Sequence, residues 1–261
     1  MKSRRLLLAL ISTVGFVWAD PVAIVNPGFE DITGETVQFE FTFSPPPGWN
    51  LYDPSAITAG GAGPDYYVGT LTPFVPDPIN HPGVFVNFPG GAPEGQRVAI
   101  AFNDNPTGGG GEYGLVQTLS ATLQADTAYS LRVLIGNIAS GQSQNFGFFN
   151  LNGFPGYRVD LLAGGVVIAS DNNSLLPDEG TFEESLVSYT TGSGHAQLGQ
   201  ALGIRLVNLN LVDNTDLTAD WEVDFDDVRL TATAVPEPAA TAIVLASGCL
   251  LLAWFRRRRT S

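Results

Sequence analysis

Cysteine is nearly missing from this chain. The only one, Cys249, lies in the apolar run near the C-terminus. No disulfide can form within the body of the chain, so its stability must come from its own core or from a bound metal. Lysine is as scarce, with Lys2 alone. Of the 12 basic residues, Lys2, Arg4 and Arg5 open the chain and Arg256 to Arg259 nearly close it. Only Arg97, Arg132, Arg158, Arg205 and Arg229 lie between, against all 26 acids. Such an acidic body repels nucleic acid and anionic lipid and suits divalent cations; the same acids would also keep a β surface dissolved. The two histidines, His81 and His195, stand in Pro- and Gly-rich loops with no cysteine near them, a poor basis for zinc. No G-x-S-x-G elbow occurs, and PTGGGGEYG (106–114) lacks the Lys-Ser/Thr of a phosphate loop. Serine-hydrolase and nucleotide chemistry are not written here.

What is present is turn chemistry between short apolar runs. The chain holds 30 glycines and 18 prolines with 10% aromatics, the signature of a turn-rich β protein; a disordered chain would be poor in aromatics. YSLRVLIGNI alternates, placing Tyr129, Leu131, Val133 and Ile135 on one face. GYRVDLLAGGVVIAS reads as a hairpin turning at Gly164-Gly165. RVAIAF, GIRLVNL and WEVDFDDVRL are further strands, separated by loops such as SGQSQNFGFFNLNGFPG (140–156). Together they predict an all-β, jelly-roll β-sandwich over residues 20–232. Residues 1–19 read as a signal peptide, with an uncleaved anchor as the alternative. Residues 233–238 read as a linker, 239–255 as an apolar segment barely long enough to span a bilayer, and 256–261 as an Arg-rich cytoplasmic tail. Val235-Pro236-Glu237-Pro238, the apolar segment and the arginines together resemble the PEP-CTERM sorting signal. That resemblance implies processing by an exosortase at the inner membrane, then display at the cell surface or in the extracellular matrix.

Two further resemblances concern the body. VNPGFE (25–30), the Gly48-Trp49 pair and the closing VDFDDVRL resemble galactose-binding-like jelly rolls, a group that includes carbohydrate-binding modules. This implies that the first and last strands are neighbours and that a structural calcium sits between them, with Glu30 and Asp226 as side-chain ligands. A hard cation of this kind takes six to eight oxygens. The alternative is that Asp226 and Asp227 face solvent at a sheet edge. PEGQRVAIAF, LVQTLSATLQADTAYSLRV, PGYRVDLLAGGVVIASDNNSLLPDEGTF, LGQALGIRLVNL and VDFDDVRL are similar, in order and spacing, to the HpiC1-type domain of the Stig cyclases. Known members are calcium-dependent enzymes that rearrange and cyclise isoprenyl-indole precursors and assemble as dimers or more. They use an aspartic acid in an aromatic-lined pocket as proton donor, a role that falls here to Asp224. Alternation places 224 and 226 on one face and 227 on the other unless a bulge intervenes. Ile100 and Phe102 stand where the cyclases carry a pocket aromatic.

The sorting tail, and the lack of a tyrosine at Ile100 and Phe102, favour a calcium-stabilised surface protein that binds glycan or matrix and is not an enzyme; the alternative is a cyclase acting on a hydrophobic small molecule. Loop aromatics, among them Tyr52, Tyr66, Tyr67, Phe88, Tyr113, Phe148 and Phe149, would stack on sugars, enclose an apolar ligand, or lid the core. An enclosed aromatic pocket holding a buried acid would decide for the cyclase.

Overall fold

The computed structural model describes residues 19–63, 65–73, 87–104, 110–143, 147–211, 216 and 218–235. The signal-peptide reading (apart from Ala19), Pro236 to Pro238, the apolar tail segment and His81 lie outside these. The described residues form fifteen strands: β1 (Asp20–Val22), β2 (Val37–Gln38), β3 (Phe41–Thr42), β4 (Asn50–Tyr52), β5 (Tyr66–Leu71), β6 (Val98–Asn103), β7 (Tyr113–Thr122), β8 (Thr127–Asn137), β9 (Gly141–Ser143), β10 (Gly147–Phe149), β11 (Tyr157–Ala163), β12 (Val166–Asn172), β13 (Thr181–Thr191), β14 (Ala201–Asn208) and β15 (Trp221–Ala234). No helix among the described residues is long and apolar enough to cross a membrane.

Two antiparallel sheets make the sandwich. One runs β13-β8-β15-β6-β5-β3-β2, with β1 paired to the far half of β15; the other runs β12-β11-β14-β7-β4. Their facing sides follow the period-2 rule. Leu131, Val133 and Ile135 of β8 and Val223 and Phe225 of β15 meet Leu115 of β7, Val159 and Leu161 of β11, and Ile204 and Leu206 of β14. Each such side chain, once buried, contributes about 1.5–3 kcal/mol. The hairpin at 157–170 forms as its glycines require. Gly164 and Gly165 hold φ of 59° and 79°, a turn open at low cost only to residues without Cβ.

Three features depart from the simple strand reading. The last strand continues through Thr231–Ala234, whose backbone pairs with β8 while Thr231 and Ala232 also pair with β1. The stretch 140–156 is not plain loop, since it carries the β9–β10 ribbon. The β15–β8 register shifts between Asp226 and Arg229, and Asp227 sits at φ 48°. This is a β-bulge in the middle of the final strand, at the point where its neighbour changes from β6 to β1.

The larger sheet also packs on its other face. Phe41, Tyr67, Leu71, Phe88, Val98, Ile100, Phe102, Ile138 and Leu151 form a second apolar layer there, with Phe149 and Phe182 packed against it. This outer layer, rather than the sandwich core, frames the candidate site.

Candidate active site

β15 alternates between the two layers. Val223 and Phe225 point into the sandwich, so Glu222, Asp224 and Asp226 point into the outer layer. Asp224 is fully buried. Its strand neighbours are Ile100 on β6 and Gly136 on β8. Gly136 makes room for it: a methyl group there would lie 2.8 Å from the Asp224 Cβ and 2.5 Å from the Phe182 ring. Glu222 is 2% exposed. It lines a cleft of about 220 Å³, counted with its open mouth, together with Phe41, Tyr67, Asn87, Phe102, Ile138, Phe149 and Leu151. Phe149 meets Phe41 and Phe102 edge-on, at ring-centre distances of 6.3 and 6.0 Å. Tyr67 lies 4.7 Å from Phe102. The β9–β10 ribbon thus carries one wall of the cleft.

The electrostatics of this face are one-sided. Both Asp224 oxygens and Glu222 Oε1 meet no hydrogen-bond partner outside the pair, and Asn87 Oδ1 is unpartnered as well. The two acids lie within reach of one another. Two carboxylates can only accept, so the pair is satisfied when a proton sits between them. Burial, reinforced by the charge of Asp220, pushes the Glu222 carboxyl up to about 8. Burial first, then the charge of Glu222, raises Asp224 well above the usual range. Asp220, desolvated and facing Asp104, rises to about 6. A buried carboxylic acid that keeps its proton near neutral pH is equipped to donate it.

The other predicted pair lies at the bulge. Glu30 Oε1 accepts N–H bonds from Gln96 (2.7 Å) and Arg97 (2.6 Å). Asp226 Oδ2 accepts from the Glu94 amide (2.8 Å) and its Oδ1 from the Asp227 amide (2.7 Å). Val228 N–H reaches the Pro27 carbonyl, and Phe29 packs on Trp49 at 5.3 Å. The NPGFE, GW, PEG and DFDDV segments therefore do meet. Asp226 is buried, not edge-exposed, while Asp227 turns outward to Arg229. Desolvation, with a smaller contribution from Glu94 and Asp227, raises Asp226 to about 7. Among the described residues no three acidic, histidine or cysteine side chains converge as a metal cluster. A cation here would draw most of its oxygens from the backbone, and the all-oxygen donors at this acid-rich corner suit calcium in kind.

Elsewhere, acidic and histidine side chains are held by partners within the fold. Asp171 is held by the hydroxyls of Tyr157 and Ser185. Asp216 accepts from Thr218 and Asn150. His195 Nδ1 accepts the Gln197 amide. Of the aromatics, Tyr66 and Tyr113 pack in the sandwich core, Tyr67 and Phe149 line the cleft, and Phe88 stacks on Phe182 at 4.4 Å. Sequence reasoning passed over Glu222, although its spacing of two from Asp224 puts both on one face. Asn87 gave no signal, because a loop asparagine is common.

The HpiC1 cyclase family model matches residues 20–231. The chain belongs to this HpiC1-like cyclase family. Among solved structures, the Stig cyclase Fisc from Fischerella sp. TAU, in complex with (3Z)-3-(1-methyl-2-pyrrolidinylidene)-3H-indole, is 38% identical; the match covers 84% of this chain and all of that one, with a TM-score of 0.67. A cyclase from Fischerella sp. TAU in complex with 4-(1H-indol-3-yl)butan-2-one is 35% identical over 83% of this chain and 99% of its own, with a TM-score of 0.67. An apo-form cyclase from Fischerella sp. is 35% identical over 84% and 98%, with a TM-score of 0.66. No curated protein matches. Membership in the HpiC1-like family overturns the expectation of a non-enzymatic binder of glycan or matrix. That expectation gave weight to the sorting tail and to the lack of a tyrosine at Ile100 and Phe102, neither of which reports on the outer layer, where the buried Glu222 borders an aromatic cleft. Of the two readings, the cyclase is the one the relatives support.

Proposed function

We propose that this HpiC1-like chain is a cyclase that rearranges and closes a hydrophobic isoprenyl-indole-type molecule by acid catalysis. The observation that carries this reading is the pair of buried carboxyls, Glu222 and Asp224, set beside an aromatic cleft with no cation to neutralise them. A carboxyl proton adds to an electron-rich carbon of the substrate, and the cation so formed is attacked by a neighbouring π bond. A proton then returns to the carboxylate, so substrate and product are isomers. The faces of Phe41, Tyr67, Phe102 and Phe149 stabilise the passing positive charge. The apolar lining limits the water that can capture it. Asn87 Oδ1, unpartnered in the cleft wall, offers an acceptor to a heterocyclic N–H. The test is product analysis of the purified protein with a C3-isoprenylated indole; the expected result is an isomeric cyclised product, and unchanged substrate would refute the reading.

Calcium belongs to the same proposal in a supporting role. Glu30 and Asp226 would hold it together with carbonyls of the 26–31 loop, tying the first loop, the PEG turn and the bulge to one another. When bound it supplies structural cohesion and takes no part in proton transfer. Because only the folded state binds it, removal should lower the melting temperature; at a hundredfold excess over Kd the stabilisation is about 2.7 kcal/mol. Melting curves with and without EGTA, read beside elemental analysis, check this, and identical curves would count against the ion.

The ends carry the rest. With residues 1–19 as export signal and 235–261 as exosortase-processed sorting tail, the enzyme works beyond the inner membrane, at the cell surface or in the matrix, as a homodimer. Fractionation of cells expressing tagged full-length and tail-deleted chains tests the location.

A further inference from the structure

The body of the chain begins and ends at one corner of the sandwich. Asp20, the first residue of β1, lies opposite Ala232 of β15. Val235, which follows β15, gives its N–H to the Asp126 carbonyl at 2.7 Å, in the turn between β7 and β8. Ala234 pairs with Thr127 at the start of β8, and Thr127 with Thr191 at the end of β13. The cleft is at the other end of the same strand. Glu222 pairs with Phe102, and Phe102 with Tyr67; Asp224 pairs with Gly136, two residues before Ile138. Glu222, Phe102, Tyr67 and Ile138 all line the cleft. From Glu222 to Ala234 the strand spans about 35–40 Å, at about 3.3 Å per residue.

The length of the remaining chain limits what this corner can meet. Residues 236–238 alone separate Val235 from the apolar run 239–255, which Arg256 to Arg259 follow. Fully extended, those three residues reach about 10 Å. An apolar run of this length closed by arginines is retained in a bilayer, with the arginines on the far side. At the other terminus, Ala19 alone separates the apolar stretch 6–18 from β1. Both apolar segments therefore tether the same corner.

We propose that, while its tail is attached, the chain stands on the bilayer surface on the corner formed by β1, the β7–β8 turn and the ends of β13 and β15, with the cleft facing away from the lipid. This rests on 239–255 being a membrane segment and is independent of the cyclase reading. The distribution of charge agrees with it. The corner exposes Gln124, Ala125, Thr190, Gly192 and Ser193 beside Asp20 and the half-buried Asp126. These are mostly small, uncharged groups that can lie against headgroups. The opposite end carries Asp65, Asp104 and Asp220, with Asp104 close to both of the others, and Asp216 tied to Asn150. Anionic lipid repels such a cluster. A substrate then reaches the cleft from the aqueous side, and a molecule dissolved in the adjacent bilayer must leave it first.

The test uses the full-length chain, whose one cysteine is Cys249. In a Cys249→Ser background, Ala125→Cys and Ser193→Cys each place a donor fluorophore at the corner, and Phe148→Cys and Asn152→Cys each place it at the cleft end, all at exposed positions. Each labelled protein is reconstituted into vesicles of phosphatidylethanolamine and phosphatidylglycerol that carry an acceptor dye on their headgroups. Energy transfer from the corner positions is expected to exceed that from the cleft positions about threefold or more, given a separation of about 35–40 Å along the strand. A substitution that disturbs the fold departs from the second position at its own end, which then carries the comparison. Equal transfer from the two ends, or more from the cleft end, overturns the orientation and leaves the membrane segment in place. Chain that does not float with the vesicles overturns both.

Discussion

Asp160 and Asp224 are both fully buried, and each sits in mid-strand on a sheet face turned away from the sandwich core, one in each sheet. Asp160, on β11, is gripped by Arg158 Nε at 3.1 Å and Arg205 Nε at 2.7 Å; Arg158 continues to Glu112, which takes the Tyr52 hydroxyl, and Arg205 lies 4.3 Å over the Tyr52 ring. Asp224, on β15, has only Glu222 beside it. Placing an uncompensated carboxylate in a low-dielectric site is costly, and the group responds by holding its proton. Of the other three arginines in the body, Arg132 pairs with Glu184 and Arg229 with Asp227 at the surface, Arg97 donates to Thr70, and none acts on the Glu222–Asp224 pair. Charge is neutralised where it supports the sheet and left free where an acidic proton is useful.

The largest effect should come from breaking the paired side. Asp160→Asn leaves Arg158 and Arg205, 17% and 15% exposed, without their shared carboxylate. The expected loss is about 3–5 kcal/mol in urea unfolding, with kcat of the folded fraction unchanged. A loss under 1 kcal/mol would mean that the network is dispensable. Next is the room given to the unpaired acid. Gly136→Ala drives a methyl group into the Phe182 ring and the Asp224 Cβ, and overpacking of this kind costs about 1–3 kcal/mol. Here turnover should fall with stability, which separates this face from that of Asp160.

The smallest effect is a pH slope. Burial raises the Glu222 carboxyl in the fold above its value when free. Between those values the folded chain binds a proton that the unfolded chain releases, so stability falls as pH rises. Glu222→Gln has no proton to lose. Its melting temperature should match wild type near pH 5 and exceed it by a few degrees at pH 8. Parallel curves for the two proteins would mean that Glu222 is not held as the acid.

Much of the sandwich was legible in short stretches. The Gly164-Gly165 turn and the alternation at 129–135 are local signals, and each formed as local geometry demands. The meeting of NPGFE with DFDDV followed from family likeness, since no spacing rule joins residues 200 apart. The bulge at Asp226–Val228 was not legible: it arises where β15 exchanges β6 for β1, a tertiary event. The β9–β10 ribbon was hidden because its strands are three residues long and rich in glycine and polar residues.

By itself, the sequence determined that this is a cysteine-poor, acidic, all-β chain with three acids alternating on its last strand, because composition and period-2 spacing are properties of the chain alone. Only the tertiary structure decided that those acids face an aromatic layer outside the sandwich, and that Glu222 rather than Asp224 borders its cleft. Burial and access depend on what the rest of the chain lays over a strand face, and here that cover comes from Phe41, Tyr67, Phe149 and Leu151, on segments distant in sequence from β15.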